Sequence, residues 1–356
     1  MYETLLVALG EHGMTAAHVV VERIFLSDVA SQGPLLPAVR RAVCGAAAPD
    51  AVPATTRVQQ PPAHPGQTCE LQAMAMAMAM APAPAGGSGG LAAGQALSEL
   101  PAGASGRLLQ AEGVRQVFLA GLTGGTPGDG MDVAAQVTAM FRAAESALLS
   151  AGMSFHDAAR AWVYLADIER DYGALNTARR AFYRDRGIAP PPASTGISGV
   201  PFPPDRACGL DLRAVTGGGR RLTALRSGTM NEAPSYGADF SRGTRVDLPD
   251  RSILYISGTA SIDTDGRVVA VGDIEGQIER TLLNVEAMLR GEGAGYAQAV
   301  SAVTYLKESR FAPAFQRIAS RHGMPESLPN ALCVADICRP EWLCEVEVTA
   351  VLPRTP

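Results

Sequence analysis

Two acidic side chains near the C-terminus are the first candidates for chemistry. Glu345 and Glu347 alternate with Cys344, Val346 and Val348 in a segment that is typical of a β-strand. Because successive side chains of a strand point to opposite faces, both carboxyl groups lie on one face, where they repel each other. Such a face either meets solvent or lines a polar cleft. We expect Glu345 to line a cleft and to act as a catalytic acid; the alternative is a solvated strand carboxylate.

The composition restricts the class of protein. The chain has 356 residues, 47% of them apolar, and a net charge of −5, which argues against nucleic-acid binding. The six cysteines and five histidines show no CxxC or HxxxH spacing, so we expect no metal site. Isolated cysteines favour a reducing cytoplasm. The N-terminus lacks the pattern of a signal peptide, and no apolar run reaches the roughly 18 residues of a membrane span.

An internal repeat organises the chain. Gln136 and Tyr164 are separated by 28 positions, and so are Gln277 and Tyr305. Each interval begins with an amphipathic helical pattern and continues through a glycine-containing turn into a strand pattern. Residues 6–26 repeat the helix end, the turn and the strand. The sequence therefore predicts three related units in one chain.

The later part of each unit repeats as well. Similar segments begin at Pro53, Pro192 and Pro329, and the closing strands begin at Cys69, Cys208 and Cys344. Second helices are predicted at 35–43, 175–186 and 311–322. Each unit should therefore contain a hairpin, a helix, a strand, a second helix and a strand pair. This is an α+β layer with its helices on one face of the sheet.

These patterns place a truncated unit at 1–74, a second unit at 107–218 and a third unit at 219–356. The first unit lacks its opening hairpin. Residues 75–106 contain an Ala/Met/Pro/Gly-rich tract that is typical of a mobile linker or surface loop. Alternating Met and Ala also suit a helix, and this alternative stays open.

The third unit resembles the YjgF/RidA family through the segments 234–243, 254–262 and 343–347. The resemblance implies three RidA/YjgF-like (chorismate mutase-like) α+β units that form a pseudo-trimer within one chain, with sites in the clefts between units. Imine deaminases of that family use an arginine where this chain has Thr55, Ser194 and Ala331. A neutral residue cannot form a bidentate, charged clamp on a carboxylate, so the resemblance does not favour deamination.

Residues 194–197, 227–233, 257–262 and 338–341 resemble the chorismatases. These enzymes release pyruvate from chorismate, and the resemblance implies the same substrate here, with no metal and no organic cofactor. Gly258 together with Cys338, seven residues before Glu345, resembles the members that form 3-hydroxybenzoate or 4-hydroxybenzoate. The alternatives are hydrolysis to a dihydroxycyclohexadiene carboxylate, imine deamination of the RidA type, and ligand binding without catalysis.

The resemblance also implies the roles of individual residues. Glu345 would protonate the enol ether, Gly258 would leave room for the ring, and Cys338 would steer the ring or move a proton, unless it is a small buried filler. The candidates for substrate binding are Arg179, Tyr183, Ser194, Thr195, Tyr236, Arg242, Lys307 and Arg321. We expect one site per chain, in the cleft between units three and two. The expected partner is chorismate, without nucleic acid or membrane, on a monomer or weak oligomer.

Overall fold

The computed structural model describes residues 1–45, 52–76, 95–98, 100–111, 113–125 and 128–354. Most of the Met-Ala tract, and with it the choice between loop and helix, lies outside these residues. Within the described ranges, no helix is long and apolar enough to cross a membrane. The same residues contain no group of three or more His, Cys, Asp or Glu side chains that could hold a metal ion.

The first layer is the smallest. In chain order it contains α1 (Tyr2–Glu11), β1 (Val19–Leu26), α2 (Val29–Gln32), α3 (Leu36–Cys44), β2 (Ala54–Gln59) and β3 (Cys69–Ala75). The strands lie in the order β3-β1-β2, and β1 is buried along its whole length. No opening hairpin precedes β1 in the described residues, so the layer is truncated as predicted.

The second layer is a complete six-stranded sheet with two long helices. Its strands begin with β4 (Gln95–Ala96), β5 (Ser105–Ala111) and β6 (Val114–Thr123). They continue after α4 (Val133–Ser150) with β7 (Ala158–Leu165), and after α5 (Ile168–Asp185) with β8 (Ala193–Ser198), β9 (Val200–Pro201) and β10 (Cys208–Gly217). The short β9 joins the first sheet instead, next to β2. β4 falls inside the predicted 75–106 linker but pairs with β5, so the end of that segment belongs to the second sheet.

The third layer repeats this arrangement. It contains β11 (Arg221–Leu225), β12 (Gly243–Asp247), β13 (Arg251–Ala260), α6 (Ile274–Gly291), β14 (Ala299–Leu306), α7 (Ala312–Arg321), β15 (Asn330–Val334) and β16 (Cys344–Pro353). The strand order is β11-β12-β13-β16-β14-β15, which matches β4-β5-β6-β10-β7-β8 of the second sheet position for position. The predicted α+β fold with three repeated units is confirmed.

One detail of the predicted unit is wrong. The last two strands of a unit were expected to form a pair, but β16 lies between β13 and β14, whereas β15 is the edge strand beyond β14. β15 runs parallel to β14, and β16 runs antiparallel to it. The closing strand therefore sits in the centre of its sheet. At Glu345 and Glu347 its backbone lies between β13 and β14.

Aspartate caps and a repeated glutamine explain why the long helices begin where they do. Asp132 and Asp273 cap α4 and α6 by accepting a hydrogen bond from a backbone N–H of the first turn. Gln136 of α4 accepts a hydrogen bond from the backbone N–H of Ala207 at 3.0 Å. Gln277 of α6 does the same for Leu343 at 2.8 Å. In both units, the glutamine that begins the 28-residue interval therefore connects its helix to the backbone at the start of the central strand.

The three sheets meet at a buried polar cluster built around Glu347. Its carboxylate accepts hydrogen bonds from Arg23 of the first sheet at 3.0 Å, and from Arg160 at 2.8 Å and Trp162 at 2.7 Å of the second. Thr195 of β8 donates a fourth at 2.6 Å. Glu347 is therefore almost entirely shielded from solvent, and its charge is used to join the three layers.

Candidate active site

A narrow cavity between the second and third sheets brings together residues that are far apart in the sequence. β13, β16 and the turn at 338–342 supply one wall, and β8 with the start of α5 supplies the other. Six of the residues proposed from the sequence line it: Ser194, Tyr236, Arg242, Gly258, Cys338 and Glu345.

Glu345 is held in a dry position at the start of β16. The residue is 4% exposed, and its strand neighbours are Ala260 on β13 and Tyr305 on β14. Burial, and next the negative charge of Glu347, raises the pKa of this carboxyl to about 8, against the opposing effect of Arg160 and Arg242. The side chain is therefore a neutral carboxylic acid at pH 7, which is the form that can give a proton.

Glu347, two residues further along the same strand face, is in the opposite state. Burial acts to raise its pKa, but Arg23 and Arg160 outweigh burial, so the pKa lies below its ordinary value. The ionised Glu347 in turn disfavours a second negative charge on Glu345. The two carboxyls are thus in different states: Glu347 is paired with two arginines, whereas the raised pKa of Glu345 favours its protonated form.

Gly258 makes room for the acid itself. A Cβ built on this glycine would collide with Oε1 of Glu345 and would come within 2.9 Å of Cγ2 of Thr195. The backbone N–H of Gly258 donates a hydrogen bond to the Thr195 hydroxyl at 2.9 Å. The sequence suggested that this glycine leaves space for a ring, whereas the structure shows that the space is occupied by the Glu345 carboxyl.

Cys338 does not have the electrostatic environment of a base. Burial, and next the proximity of Glu345, raises the pKa of its thiol to about 12, although a hydrogen bond with Tyr172 and the charges of Arg339 and Arg242 oppose the rise. A thiol with this pKa stays neutral at pH 7. Of the roles predicted for Cys338, this environment favours steering the ring or filling space over moving a proton, because the neutral thiol shapes the wall beside Tyr172.

Two buried arginines flank the cavity without a carboxylate partner among the described residues. Arg179 is 1% exposed; it donates to Oδ1 of Asn176 at 2.6 Å and lies 3.5 Å from the Ser194 hydroxyl. Its Nε is buried without a hydrogen-bond partner. Arg242 is 3% exposed and donates to the backbone oxygen of Asn231 at 2.6 and 2.8 Å.

Both guanidinium groups face the same aromatic ring. The centroid of Phe240 is 5.7 Å from Arg179 and 5.6 Å from Arg242. A cation–π contact offsets only part of the cost of burying a cation without a counter-ion. Two buried positive charges at one cavity wall, Arg242 in the lining and Arg179 behind Phe240 and Ser194, favour a ligand with two negative charges.

Five of the eight residues proposed for substrate binding do not line the cavity: Arg179, described above, and Thr195, Tyr183, Lys307 and Arg321. The Thr195 hydroxyl is used by Glu347 and Gly258, as described above. Tyr183 packs in an aromatic cluster with Phe141, Phe155 and Phe182. Lys307 donates to the backbone oxygen of Pro340 at 2.8 Å, and Arg321 pairs with Glu279 on the surface, where its side chain is 56% exposed.

Each of these differences has a physical cause. Tyr183 was expected to bind substrate, but on α5 its side chain turns into the core of the second layer, where its ring replaces water with aromatic contacts. Arg321 lies near the end of α7, on the side that faces α6 and solvent. A long cation there satisfies its charge more cheaply with a surface glutamate than inside a cleft.

Three aromatic residues of the wall were not proposed from the sequence. Tyr172, Phe240 and Trp342 line the cavity, and the Trp342 indole donates to the backbone oxygen of Ser261 at 3.0 Å. Tyr172 fell outside the predicted helix, which was placed at 175–186, whereas α5 begins at Ile168. The Asp167 cap, followed by acidic residues in the first turn, is the signal that would have moved this boundary.

The repeat provides two counterparts of Glu345. Gly209 holds this position in the second unit, and Pro201 lies against it, so no carboxyl is present there. Glu70 holds it in the first unit, opposite Phe25. Burial raises the pKa of Glu70 to about 7, and its Oε2 is buried without a hydrogen-bond partner. The first layer, however, has no counterpart of Gly258 or Arg242 in the described residues, because its opening hairpin is missing.

Comparison with known proteins gives the fold of the whole chain. Residues 230–352 match the family model described as endoribonuclease L-PSP. A solved chorismatase structure matches 94% of this chain and 93% of its own, with a TM-score of 0.63 and 19% sequence identity. This chain has the chorismatase fold. The chorismatase fold covers the truncated first layer as well as the two complete ones.

Shorter solved structures match 37% of this chain. A putative endoribonuclease L-PSP from Entamoeba histolytica is 22% identical and covers 37% of this chain and 100% of its own, with a TM-score of 0.33. A YjgF/YER057c/UK114 family member from Mycobacterium tuberculosis is 19% identical and covers 37% of this chain and 100% of its own, with a TM-score of 0.31.

Proposed function

We propose that this protein converts chorismate into pyruvate and a hydroxybenzoate, with Glu345 as the general acid. The observation that carries the proposal is the charge pattern of the cavity. Burial raises the pKa of Glu345 to about 8, Arg242 lines the same cavity, and Arg179 contacts Ser194 and Phe240 of its wall, with no carboxylate partner for either arginine in the described residues. Chorismate carries two carboxylates and an enol ether. The arginines match the first feature, and the acid matches the second.

The reaction begins with proton transfer from Glu345 to the methylene carbon of the enol ether. The ring carbon–oxygen bond then breaks, and the side chain leaves as pyruvate with the ether oxygen. If the neighbouring ring hydroxyl attacks the carbon that loses the side chain, an arene-oxide-like intermediate forms. Its opening and the loss of a ring proton give a hydroxybenzoate, and no water is consumed. If water attacks instead, the product is a dihydroxycyclohexadiene carboxylate.

The cavity wall favours the first of these outcomes. Tyr172, Phe240 and Trp342 surround the acid with ring surface, and the neutral Cys338 adds no hydrophilic group that would hold a water molecule for attack. Exclusion of water strengthens both the proton transfer and the intramolecular attack.

Substrate entry requires movement of the wall. The free volume of the cavity is about 20 Å³, far below the roughly 300 Å³ or more of a typical ligand site. The 227–242 segment carries Tyr236, Phe240 and Arg242 and contains only one short 3₁₀ turn, at Ala233–Tyr236. We infer that this segment moves outward to admit substrate and then returns with Arg242.

A coupled assay tests the proposal. Purified protein is incubated with chorismate, pyruvate is followed with lactate dehydrogenase and NADH, and the ring product is identified by chromatography. We expect one pyruvate for each aromatic product, and no aromatic ¹⁸O when the reaction runs in labelled water. Label in a diene product would show hydrolysis. Ammonia release from an imino acid without pyruvate would favour a deaminase, and ligand binding without either product would favour a non-catalytic protein.

We also propose that the units correspond to 1–74, 107–218 and 219–356, with the second extended at its start to include β4 and the whole of β5, and that the chain works in the cytoplasm as a monomer or weak oligomer. One chain already supplies both walls of the cavity, and all six cysteines are free thiols. Analytical ultracentrifugation gives the oligomeric state; a cavity completed only in a dimer would contradict the monomer.

A further inference from the structure

A second, larger cavity lies where strands of all three sheets converge, away from the Glu345 site. Its free volume is about 610 Å³, and it shares no lining residue with the cavity of Glu345. Three arginines line it, namely Arg23, Arg213 and Arg251, together with the rings of Phe118 and Tyr255. Among the described residues, no aspartate or glutamate belongs to its lining. A chamber of this size and polarity suits a small ligand.

The charges of this chamber do not balance. Arg23 pairs with Glu347 at 3.0 Å, a carboxylate that it shares with Arg160, and Arg251 pairs with Asp250 at 3.0 Å. Arg213 is half-buried, and no carboxylate of the described chain lies within ion-pair distance of it. One positive charge is therefore left over on the wall.

Aromatic rings surround that charge. The guanidinium carbon of Arg213 lies 5.1 Å from the Trp162 ring centroid, 5.6 Å from that of Phe118 and 5.8 Å from that of Tyr255. Ring faces attract a cation, but they leave the N–H donors of the guanidinium without acceptors. The wall thus offers a carboxylate partner and a flat apolar surface side by side.

The fold does not require an arginine at this position. Five residues after the cysteine that starts each closing strand, the units carry Met74, Arg213 and Thr349. All three line the chamber, and only one of them is charged. The positive charge is therefore specific to Arg213 in the second unit, and the repeated fold does not require it.

We propose that the chamber binds a small aromatic monocarboxylate, whose carboxylate pairs with Arg213 while its ring packs against Phe118 and Tyr255. The hydroxybenzoate of the proposed reaction belongs to this class, but the argument rests on the lining alone. Because the chamber is separate from the Glu345 cavity, occupancy of the one does not require turnover in the other.

The two tryptophans of the chain allow the two cavities to be observed separately. Trp342 lines the Glu345 cavity, and Trp162 lies beside Arg213. In the Trp342→Phe variant, Trp162 is the single fluorescent indole. We expect benzoate to change its emission with saturation, while benzamide, which lacks the charge, and acetate, which lacks the ring, do not. Calorimetry of the unaltered protein with benzoate supplies an independent affinity.

Substitutions decide whether Arg213 is responsible. Arg213→Met should weaken benzoate binding by about tenfold or more, because a charge-assisted pair is lost. Arg251→Met and Arg242→Gln should leave the affinity within about threefold, since neither supplies the unpaired charge of the chamber. Met74→Glu should also abolish binding, because the new carboxylate would pair with Arg213 in place of the ligand. Since this variant retains Arg213, it tests the proposal even if Arg213→Met does not fold.

The proposal is overturned if benzoate fails to bind at millimolar concentration, if Arg213→Met and Met74→Glu bind as tightly as the unaltered chain, or if Arg242→Gln alone removes binding. Chorismate turnover is measured in the same variants. Turnover that persists in Arg213→Met while benzoate binding is lost supports two independent sites. If neither the unaltered chain nor any variant turns over chorismate, but benzoate still binds as expected, the proposed function is rejected and the proposed benzoate site is retained.

Discussion

Glu345 and Glu347 are chemically identical side chains that the structure places in opposite states. They lie two residues apart on one strand face, both are 4% exposed, and both are inside the protein. Arg23 and Arg160 stabilise the charge of Glu347, whereas Glu345 accepts no hydrogen bond from any described side chain. The contrast follows from which neighbour each carboxyl faces and not from burial itself.

Glu345→Gln should lower kcat by about 10²- to 10⁴-fold, because the amide has the shape of the acid but no proton to give. The fold should persist. Since the folded state holds the proton more tightly than the ordinary pKa of 4.5 allows, unaltered protein loses stability as the pH rises from about 4.5 to about 8. The glutamine variant should escape this loss and match or exceed the unaltered chain in urea unfolding at pH 8. Undiminished turnover would rule out the acid role.

The pH dependence of turnover offers an independent check. A general acid works in its protonated form, and burial with the nearby Glu347 raises the pKa of Glu345 to about 8. We expect kcat to be constant from pH 6 to 7 and to fall about tenfold per unit well above pH 8. Stopped assays with direct quantification of pyruvate give the profile. A decline centred near the ordinary carboxyl pKa of 4.5 would contradict the assignment.

Arg179→Gln and Arg242→Gln should each reduce kcat/KM by about 10²-fold, because each removes a charge-assisted contact to one substrate carboxylate. Arg321→Gln is the matched control, since its guanidinium pairs with Glu279 on the surface. It should change kcat/KM by less than about twofold. Equal effects of all three substitutions would show that the buried pair does not recognise substrate.

At the scale of elements, the active cavity depends on the contact between the end of β13 and β8. Gly258 donates to Thr195, Thr195 donates to Glu347, and Glu345 lies over the glycine. This contact joins two layers and at the same time sets the position of the acid. A change in the backbone there is therefore expected to affect the chemistry before it affects the fold.

Gly258→Ala should lower kcat more than it raises KM, because the new methyl group collides with the Glu345 carboxyl and must displace it. Gly228→Ala is the control, since a Cβ there meets no atom within 4 Å. Cys338→Ala should leave the acid in place and shift the product from hydroxybenzoate toward the diene by opening the wall to water. Chromatographic product ratios separate the two effects; an unchanged ratio in Cys338→Ala would contradict the role of Cys338 in excluding water.

Periodicity predicted the elements well and their pairing less well. The central strand with Glu345, the helices of the repeat and the missing hairpin were predictable, because local patterns carry this information. The position of β15 at the sheet edge was not, since strand order depends on long-range pairing that no local pattern records. The boundary of α5 was placed too late, and Tyr172 was missed for that reason.

The features of the candidate site can be divided in the same way, into those that local sequence patterns predict and those that depend on long-range contacts. Ser194, Tyr236, Arg242, Gly258, Cys338 and Glu345 could be proposed because each lies in a motif that resembles a known family. The different states of the two carboxyls, the use of Thr195 inside the protein and the isolation of Arg179 from any acid depend on contacts between layers. Such contacts join residues from different layers, for example Thr195 and Glu347, which are 152 positions apart, and a single sequence does not reveal them.

At the scale of the whole molecule, Glu347 holds three layers together. Arg23, Arg160, Trp162 and Thr195 all donate to it, and they come from the first and second sheets. A buried carboxylate with several charged donors is costly to break one partner at a time, because the remaining charges stay buried without compensation.

Arg160→Met should therefore destabilise the protein by about 3–5 kcal/mol, and Glu347→Gln by a similar amount. The double variant should lose less than the sum, because it leaves no unpaired carboxylate behind. Urea unfolding of the four proteins completes the cycle, with the surface substitution Arg290→Met as a control that should cost less than about 0.5 kcal/mol. Strict additivity would mean that the two groups do not stabilise each other.

The truncation of the first layer and the linking of three layers in one chain have a consequence for how such a centre can arise. In a ring of three identical subunits, an acid placed at the shared centre is copied three times and meets its own copies. Here the corresponding positions hold Gln72, Asp211 and Glu347. Glu347 can therefore pair with Arg23 of the first layer and Arg160 of the second. When the three units belong to one chain, the residue at this position can differ from unit to unit. A centre built from unlike residues then becomes possible, whereas three identical acids would repel one another.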